Sequence, residues 1–356
     1  MTEDVLFETR GPIGLITLNR PKALNALNLA MIDAMSARLV AWAADPAIAA
    51  VVVRGAGDRG FCAGGDLRAV YEAGERAARF AIDEPERDFF RKEYVYNWRI
   101  HHFPKPYVAL IDGITMGGGV GASVHGSHRV AGEKLVFAMP ETAIGFFPDV
   151  GGSWFLNRCP GETGTYAALT GARLGVADAL HLGIATDHVP GERFEALIDA
   201  LAAADYSGDA RAAVDGVIAG FRADAGAATL PEHRAAIDAA FGHDRMEAIL
   251  GALAADGSPW AAETAETLAG KSPTSLKVSL AQLRRGRGLA YDDCVTMEYR
   301  MSQAFLRGHD LFEGIRAIVV DKDRNAAWDP PDLSGVDDAT VAAYFEPGEA
   351  EDLIPR

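Results

Sequence analysis

The chain has few cysteines and no excess of positive charge, and these two shortages exclude several classes of protein. The three cysteines, Cys62, Cys159 and Cys294, are widely spaced, so they predict neither a disulfide framework nor a zinc site. Lys and Arg number 34 against 50 Asp and Glu, which gives a formal net charge of −16. Because binding to nucleic-acid phosphates needs concentrated Lys and Arg, the composition argues against a nucleic-acid partner.

Long apolar runs and metal-binding spacings are also missing. The sequence has no uninterrupted apolar run of about 20 residues, the length that a membrane-spanning helix needs. Its nine histidines show no His-Glu-x-x-His spacing. The chain begins Met1-Thr2-Glu3-Asp4, without a basic or signal-like apolar segment. We therefore expect a protein with no membrane partner and no metal site, located in the cytoplasm.

Two glycine-rich turns are the first positive feature. Gly117, Gly118 and Gly119 follow the strand-like run 107–111, and the segment 60–66 follows the strand-like run 49–53. A glycine turn between a strand and a helix can present bare backbone N–H groups to one ligand atom. A phosphate-binding P-loop is excluded because no Lys-Ser/Thr pair follows the glycines. The turns predict either a pair of donors for a carbonyl oxygen, called an oxyanion hole, or close helix–strand packing.

Two carboxylates follow the second turn in an apolar stretch. Glu141 lies in Met139-Pro140-Glu141, and Asp149 lies eight residues later in Phe147-Pro148-Asp149. Carboxyl groups that share an apolar pocket have pKa values pushed apart, which suits one to acid and one to base chemistry. The alternatives are that Glu141 is an ordinary turn residue and that Asp149 caps a helix beginning near Val150.

Several segments together resemble the crotonase (enoyl-CoA hydratase/isomerase) superfamily. The segments that carry this resemblance are 61–66, 116–121 and 140–141. The longer string 139–152 is similar to the 3-hydroxyisobutyryl-CoA hydrolase branch of that superfamily, and so are 272–277, 297–300 and 307–317. The resemblance covers nearly the whole chain and is weakest over about 199–255.

The resemblance implies a role for particular residues. Ala63 and Gly118 match the backbone donors that hold a thioester carbonyl, and Glu141 and Asp149 match the two carboxylates of the hydrolase branch. Glu93 matches a substrate-contacting glutamate of that branch, with a solvated helix face as the alternative. The remaining substrate-binding residues that the resemblance implies are Ala23, Asn25, Gly64, Gly65, Asp66, Leu67 and Gly117.

One departure from the hydratases points to the reaction. Those enzymes carry a second glutamate two residues after the triple glycine, where this chain has Gly121. The sequence therefore predicts hydrolysis of 3-hydroxyisobutyryl-CoA, or a similar short 3-hydroxyacyl-CoA, to the free acid and CoA in valine breakdown. CoA enters as part of the substrate, and no other cofactor is expected. An enoyl-CoA hydratase or isomerase and a non-catalytic acyl-CoA-binding protein are the alternatives. The resemblance also implies a homo-oligomer, a trimer or hexamer.

The predicted fold is α/β. Strand-like runs at 5–10 and 13–18 predict a hairpin, and a helix is expected to follow and run to about residue 42. Helices near 68–80 and 86–101 and strands near 129–131, 135–138 and 184–189 continue the alternation. The resemblance implies a crotonase-type spiral of β-β-α units, with an α/β core over 1–190 that holds the CoA site and carboxylates. Residues 191–356 are predicted to be mainly helical, with one strand-like run at 317–320.

Overall fold

The computed structural model of the chain describes residues 3–76, 84–348 and 352–353. The chain forms two compact units, each assembled from three segments. The first unit comprises Met1–Gly65, Val95–Ala138 and Arg173–Thr229, and the second comprises Asp66–Tyr94, Met139–Ala172 and Leu230–Arg356. The units therefore do not divide at residue 190, where the sequence placed a boundary.

The strands of the described chain all belong to the first unit. They are β1 Val5–Arg10, β2 Ile13–Leu18, β3 Ala50–Gly55, β4 Gly60–Cys62, β5 Tyr107–Ile111, β6 Ile114–Met116, β7 His128–Ala131, β8 Val136–Ala138 and β9 Asp187–His188. Six form one sheet in the order β1-β2-β3-β5-β7-β9, and the other three form a small sheet in the order β4-β6-β8. The β1–β2 pair is antiparallel, with Val5 opposite Leu18, and the other pairs are parallel. The predicted hairpin and the α/β class are confirmed.

The helices are distributed over both units. They are α1 Leu29–Ala44, α2 Leu67–Arg76, α3 Glu84–His101, α4 Gly118–Val124, α5 Gly152–Phe155, α6 Thr163–Thr170, α7 Val176–His181, α8 Phe194–Ala203, α9 Ala210–Ala219, α10 Leu230–Phe241, α11 Met246–Asp256, α12 Pro259–Ala269, α13 Pro273–Gly286, α14 Tyr291–Phe305, α15 Asp310–Ile315 and α16 Asp338–Ala343. Short 3₁₀ turns lie at Pro21–Ala23, Glu141–Ile144, Leu156–Arg158, Gly191–Arg193 and Leu333–Gly335. The predicted helix near 68–80 corresponds to α2, and residues 77–80 lie outside the described residues.

The central strands β3 and β5 are continuous apolar runs because both faces of the larger sheet are covered. All five residues of β5 are buried, as are the first four of β3. Parallel strands covered on both faces lose the alternation that half-exposed strands show. One core cluster contains side chains of β2, β3, β5 and β7 together with Leu197, Leu201 and Val214 from α8 and α9. The first part of the predicted helical region therefore covers this sheet and belongs to its core.

The strand-like run at 317–320 is not a strand. Residues Arg316–Val320 form a turn of π-helix that continues α15, and the N–H of Asp321 donates to the carbonyl of Arg316 at 2.8 Å. Ile318 is 40% exposed although it is β-branched. The predicted strand was wrong because β-branched residues favour strands only where neighbouring strands can pair with them. The strand expected at 184–189 is shorter than predicted and consists of β9 alone.

Candidate active site

The two glycine turns lie side by side in the first unit. β4 and β6 are adjacent parallel strands, so the turns that follow them leave the small sheet at the same edge. A Cβ atom on Gly64 would lie 3.6 Å from the nitrogen of Gly118. Gly64 and Gly117 have φ angles of +111° and +49°, which a residue with a side chain rarely adopts. Glycine is therefore required at both positions for the two turns to meet.

The backbone of Ala63 does not supply the predicted donor. Its N–H donates to the carbonyl of Leu24 at 3.0 Å, so that hydrogen is already used. No hydrogen bond from the N–H of Gly118 or of Gly65 to another described residue is seen, and Gly65 is partly exposed. Gly64, between the two residues, has a φ of +111°, so the chain turns there and the N–H groups of Ala63 and Gly65 meet different surroundings. The available pair of donors is thus Gly118 with Gly65.

The third glycine of the triplet has a packing role. A Cβ atom on Gly119 would lie under 3.0 Å from the backbone of Cys62 in β4. This glycine therefore allows α4 to pack directly on β4, which is the alternative that the sequence left open. The Cys62 thiol is buried beneath this contact.

Asn25 is a structural residue of the first loop. Its side-chain amide donates to the carbonyls of Ala56 and Gly60, each at 3.0 Å, and its side-chain oxygen accepts from the N–H of Arg20 at 2.9 Å. The residue is fully buried. These contacts assign the Asn25 side chain to fixing the loop, and substrate binding by this residue stays a prediction. Ala23, by contrast, is exposed at the end of a 3₁₀ turn.

Residues 66 and 67 begin α2 in the second unit. Asp66 lies just before the helix, and its carbonyl accepts from the N–H of Ala69 at 2.9 Å. Leu67 is half-buried at the first helical position. The next residue, Arg68, donates to the carbonyl of Val319 at 3.1 Å. These contacts order the start of α2, and their role in substrate binding stays a prediction.

Glu141 is the first residue of a 3₁₀ turn in the second unit. The turn ends at Gly145, whose φ of +70° and close approach to the backbone of Asp310 leave no room for a side chain. Glu141 is only 5% exposed, and its Oε2 atom has no hydrogen-bond partner among the described residues. Burial raises its pKa well above the ordinary value, Asp149 and Glu93 raise it further, and Lys271 opposes them. The turn therefore holds a carboxyl group in an apolar setting with one oxygen open to a ligand.

Asp149 is buried in the same unit and is held by a tyrosine. The hydroxyl of Tyr94 donates to Asp149 Oδ2 at 2.9 Å. Burial and then the charge of Glu298 raise the pKa of Asp149 to about 8, while the Tyr94 hydrogen bond lowers it. A carboxyl group with this pKa is protonated at neutral pH, so it can serve as a proton donor. The alternative role as a helix cap is excluded because Gly151 occupies the N-cap position of α5.

Glu298 is a buried carboxylate that sequence reasoning did not assign. It lies on α14, and its two oxygens accept from the N–H groups of Gly151 and Ser153 at 2.7 and 2.8 Å. Burial raises the pKa of Glu298 to about 7, and these hydrogen bonds oppose that rise. Gln282 on α13 donates to the Pro148 carbonyl at 2.7 Å. The backbone on both sides of Asp149 is thus fixed by two helices from the C-terminal part of the chain.

Glu93 completes a group of acidic side chains. It is 2% exposed on α3, and its Oε1 atom has no hydrogen-bond partner among the described residues. Burial raises its pKa well above the ordinary value, followed by the charge of Asp149. The solvated-face alternative is therefore wrong. Because Glu93, Glu141 and Asp149 repel one another in an apolar setting, they cannot all be ionised at neutral pH.

Aromatic side chains provide that apolar setting. Phe90 stacks on Phe146 with ring centroids 5.3 Å apart and contacts the ring of Tyr94 at 6.0 Å. Phe147 and Phe305 stack at 5.4 Å. Among the residues that the structure describes, no group of three His, Cys, Asp or Glu could hold a metal ion. In the same residues, no helix has both the length and the apolar character to cross a membrane.

The fold and these two clusters define the class of protein. The chain matches the family model of enoyl-CoA hydratase/isomerase over residues 13–345, and it belongs to that family. It is 47% identical over 347 residues to the mitochondrial 3-hydroxyisobutyryl-CoA hydrolase of Xenopus tropicalis, covering 96% of this chain and 88% of that protein. The human protein of the same name is 44% identical and covers 99% of this chain and 90% of its own length. The predicted family and hydrolase branch are confirmed.

Solved structures confirm the fold over nearly the whole chain. A structure described as a carnitinyl-CoA dehydratase from Mycobacterium thermoresistibile is 42% identical with a TM-score of 0.91, covering 99% of this chain and 98% of its own. One described as an enoyl-CoA hydratase from Rhodobacter sphaeroides is 38% identical with a TM-score of 0.88, covering 97% and 98%. The curated relatives are named as mitochondrial proteins, and this overturns the prediction of a cytoplasmic location.

Proposed function

We propose that the protein hydrolyses the thioester of 3-hydroxyisobutyryl-CoA, or a similar short 3-hydroxyacyl-CoA, to the free acid and CoA in valine breakdown. The observation that supports this proposal is the group of buried acidic side chains Glu93, Glu141 and Asp149. The curated relatives of the chain are named for the same reaction. CoA is part of the substrate, and the proposal includes no other cofactor. A homo-oligomer, a trimer or hexamer, is part of the proposal by resemblance alone.

Polarisation of the thioester carbonyl is the proposed role of the first unit. The N–H groups of Gly118 and Gly65 would donate to the carbonyl oxygen as negative charge develops on it. Removing one such donor typically costs about 2.7–4 kcal/mol of transition-state stabilisation. Backbone donors held by glycine turns need no reorganisation during the reaction, because strand pairing of β4 and β6 already fixes them.

Attack on the carbonyl is the proposed role of Glu141. Its Oε2 atom has no hydrogen-bond partner among the described residues, so the ionised carboxylate can accept a proton from water, and the resulting hydroxide adds to the carbonyl carbon. In a second route the carboxylate itself attacks and forms a mixed anhydride, which water then hydrolyses. In both routes the carbon–sulfur bond breaks and the thiolate accepts a proton. Oxygen-18 from labelled water enters the Glu141 side chain during a single turnover only in the anhydride route.

The other two carboxyl groups would serve the leaving group and the substrate hydroxyl. Asp149, with its pKa raised to about 8, would protonate the departing thiolate. The Oε1 atom of Glu93, which has no partner among the residues that the structure describes, would accept a hydrogen bond from the 3-hydroxyl of the acyl group. A buried carboxylate oxygen without a partner is costly, and a substrate hydroxyl satisfies it.

Hydration of an enoyl-CoA is the second candidate, since the two solved structures described above carry hydratase and dehydratase names. Gly121 opposes this candidate because it lacks the second carboxylate that paired-glutamate hydration uses. Glu141 is present in both candidates. The choice between hydrolysis and hydration therefore depends on Asp149, which the resemblance assigns to the hydrolase branch.

The proposed substrate class can be tested with two thioesters that differ by one hydroxyl. Thiol release from 3-hydroxyisobutyryl-CoA and from isobutyryl-CoA is followed with a thiol-reactive dye. A site built to bind the hydroxyl should discriminate by on the order of 10⁴-fold in kcat/KM. Glu93→Gln should narrow that ratio. Equal rates would contradict the 3-hydroxyacyl assignment while leaving hydrolysis intact, and no release from either thioester would contradict the proposed function.

A further inference from the structure

Tyr94 lies directly after Glu93 on α3, and its phenol reaches the Asp149 carboxylate. Its hydroxyl donates to Asp149 Oδ2 at 2.9 Å, and the residue is 1% exposed. The phenol ring is held by Phe90, whose centroid lies 6.0 Å away. A buried hydroxyl with this geometry is fixed to one acceptor atom.

The backbone of Asp149 is fixed independently of that bond. Gln282 holds the preceding carbonyl, and Glu298 holds the N–H groups of Gly151 and Ser153. Val150 has a φ of +50°, an uncommon conformation for a β-branched residue. The backbone contacts fix the position of the Asp149 main chain, and the Tyr94 hydroxyl fixes the orientation of the Asp149 carboxylate.

We propose that Tyr94 is a positioning residue of the hydrolysis reaction, because its hydroxyl holds Asp149 Oδ2 and thereby orients the carboxyl group toward substrate. This inference rests on the proposed function of Asp149. Tyr94 does not contact the reacting atoms in this account, and it acts through Asp149 alone. The resemblance to the hydrolase branch assigned no role to Tyr94.

The same hydrogen bond affects how Asp149 titrates. The titratable groups that shift the pKa of Asp149 are Glu298 on α14, whose charge raises it, and Tyr94 on α3, whose hydrogen bond lowers it. Asp149 in turn raises the pKa values of Glu93 on α3 and Glu141 on its 3₁₀ turn. The carboxylates disfavour ionisation of Asp149, and the Tyr94 hydroxyl favours it by donating to the ionised form. Removing the hydroxyl therefore raises the pKa of Asp149. One limb of the pH–rate profile reports the titration of Asp149. That limb moves to higher pH whether the reaction needs Asp149 protonated or ionised.

The test is Tyr94→Phe in the full chain, assayed by thiol release from 3-hydroxyisobutyryl-CoA across the pH range. We expect kcat to fall about ten- to a hundredfold, the range for leaving a buried hydrogen-bond acceptor without its donor, and one limb to move to higher pH. Tyr96→Phe is the matched control, since it removes a buried hydroxyl from the same helix that lies 3.4 Å from the Tyr107 hydroxyl. That control should leave both limbs unchanged.

A double-mutant cycle separates positioning from a general effect on folding. If Tyr94 acts through Asp149, Tyr94→Phe should cost less than about threefold in an Asp149→Asn background. A Tyr94→Phe enzyme with wild-type kcat and both limbs in place would overturn the inference, and so would an undiminished effect in the Asn background. Absence of thiol release from the wild-type protein would instead overturn the proposed function, and the role of Tyr94 with it.

Discussion

The two units of this chain carry their functional groups in different ways. The first unit offers backbone N–H groups at Gly65 and Gly118, made accessible by turns that tolerate no side chain. The second unit offers the side chains of Glu93, Glu141 and Asp149, buried among aromatic rings. Donors of the first kind depend on backbone position and not on side-chain chemistry. Groups of the second kind depend on the identity of each residue and on its pKa.

This difference explains where sequence differences between related enzymes can act. Backbone donors that hold a carbonyl oxygen serve any reaction that passes through an oxyanion, so the first unit suits hydratases and hydrolases alike. The choice between reactions then depends on the carboxyl groups and the residues that set their pKa values. Substitutions in the second unit should change chemistry, whereas substitutions in the first should lower all acyl-CoA chemistry together.

The largest effect is expected from Glu141→Gln. The amide keeps the size of the side chain but cannot accept a proton, so thiol release should fall by about 10²–10⁴-fold. Folding should be retained because Glu141 Oε2 makes no hydrogen bond to the described residues. Thermal unfolding of the variant checks this point. Glu192→Gln, at an exposed position, is the control and should keep full activity. A Glu141→Gln enzyme within a few-fold of wild type would remove Glu141 from the mechanism.

An intermediate effect is expected from Gly119→Ala in the first unit. The added methyl group would meet the backbone of Cys62 at under 3.0 Å, so α4 must move away from β4 and carry the Gly118 N–H with it. We expect a loss of about 1–3 kcal/mol in unfolding free energy and about 10²–10³-fold in kcat. Gly216→Ala is the matched control, since nothing lies within 4 Å of its added methyl group on α9. The control should unfold no more easily than wild type, and full activity in Gly119→Ala would show that the donors do not depend on this packing.

The smallest effect is a pH-dependent gain in stability from Asp149→Asn. The folded pKa of Asp149, about 8, lies above its ordinary value of 3.8, so the folded state favours the protonated form. The stability that wild-type Asp149 contributes is present below about pH 4 and is lost as pH rises toward 8. The Asn variant does not titrate and so does not lose this stability. Its unfolding free energy relative to wild type should therefore rise between pH 4 and 8, by more than about 1 kcal/mol, since each pKa unit corresponds to about 1.4 kcal/mol.

Denaturant unfolding at several pH values measures that gain directly. Asp58→Asn, at an exposed position, is the control and should show no such trend. A constant difference between wild type and Asp149→Asn from pH 4 to 8 would mean that burial does not raise the pKa of Asp149. In that case Asp149 would be ionised at neutral pH and could not donate a proton to the thiolate.

The sequence predicted those parts of the site that depend on local pattern. Glycine triplets after a strand, and acidic residues in an apolar run, can be recognised without knowing what they contact. The donor assigned to Ala63 was wrong because the choice between neighbouring N–H groups depends on the Leu24 carbonyl across the loop. The structural role of the Asn25 side chain was missed for a similar reason, since it depends on the carbonyls of Ala56 and Gly60 more than 30 residues away.

Contacts between distant segments explain the residues that the sequence missed. Glu298 and Gln282 hold the backbone around Asp149 from positions more than 120 residues further along the chain. Tyr94 reaches Asp149 across 55 residues. No local spacing connects these residues, and a tyrosine or glutamate on a helix is most often an ordinary packing or surface residue. The short string around Glu298 resembles the hydrolase branch. That resemblance marked the segment as a feature of the branch but did not indicate what Glu298 does.

Hydrolase chemistry in the second unit can be tested by giving the same protein two different thioesters. Wild-type protein is incubated with 3-hydroxyisobutyryl-CoA while thiol release is recorded, and a second portion receives crotonyl-CoA while loss of the enoyl absorbance is recorded. We expect rapid thiol release from the first thioester and no hydration of the second. Hydration of crotonyl-CoA without thiol release would contradict this expectation and would assign Glu141 to a hydratase.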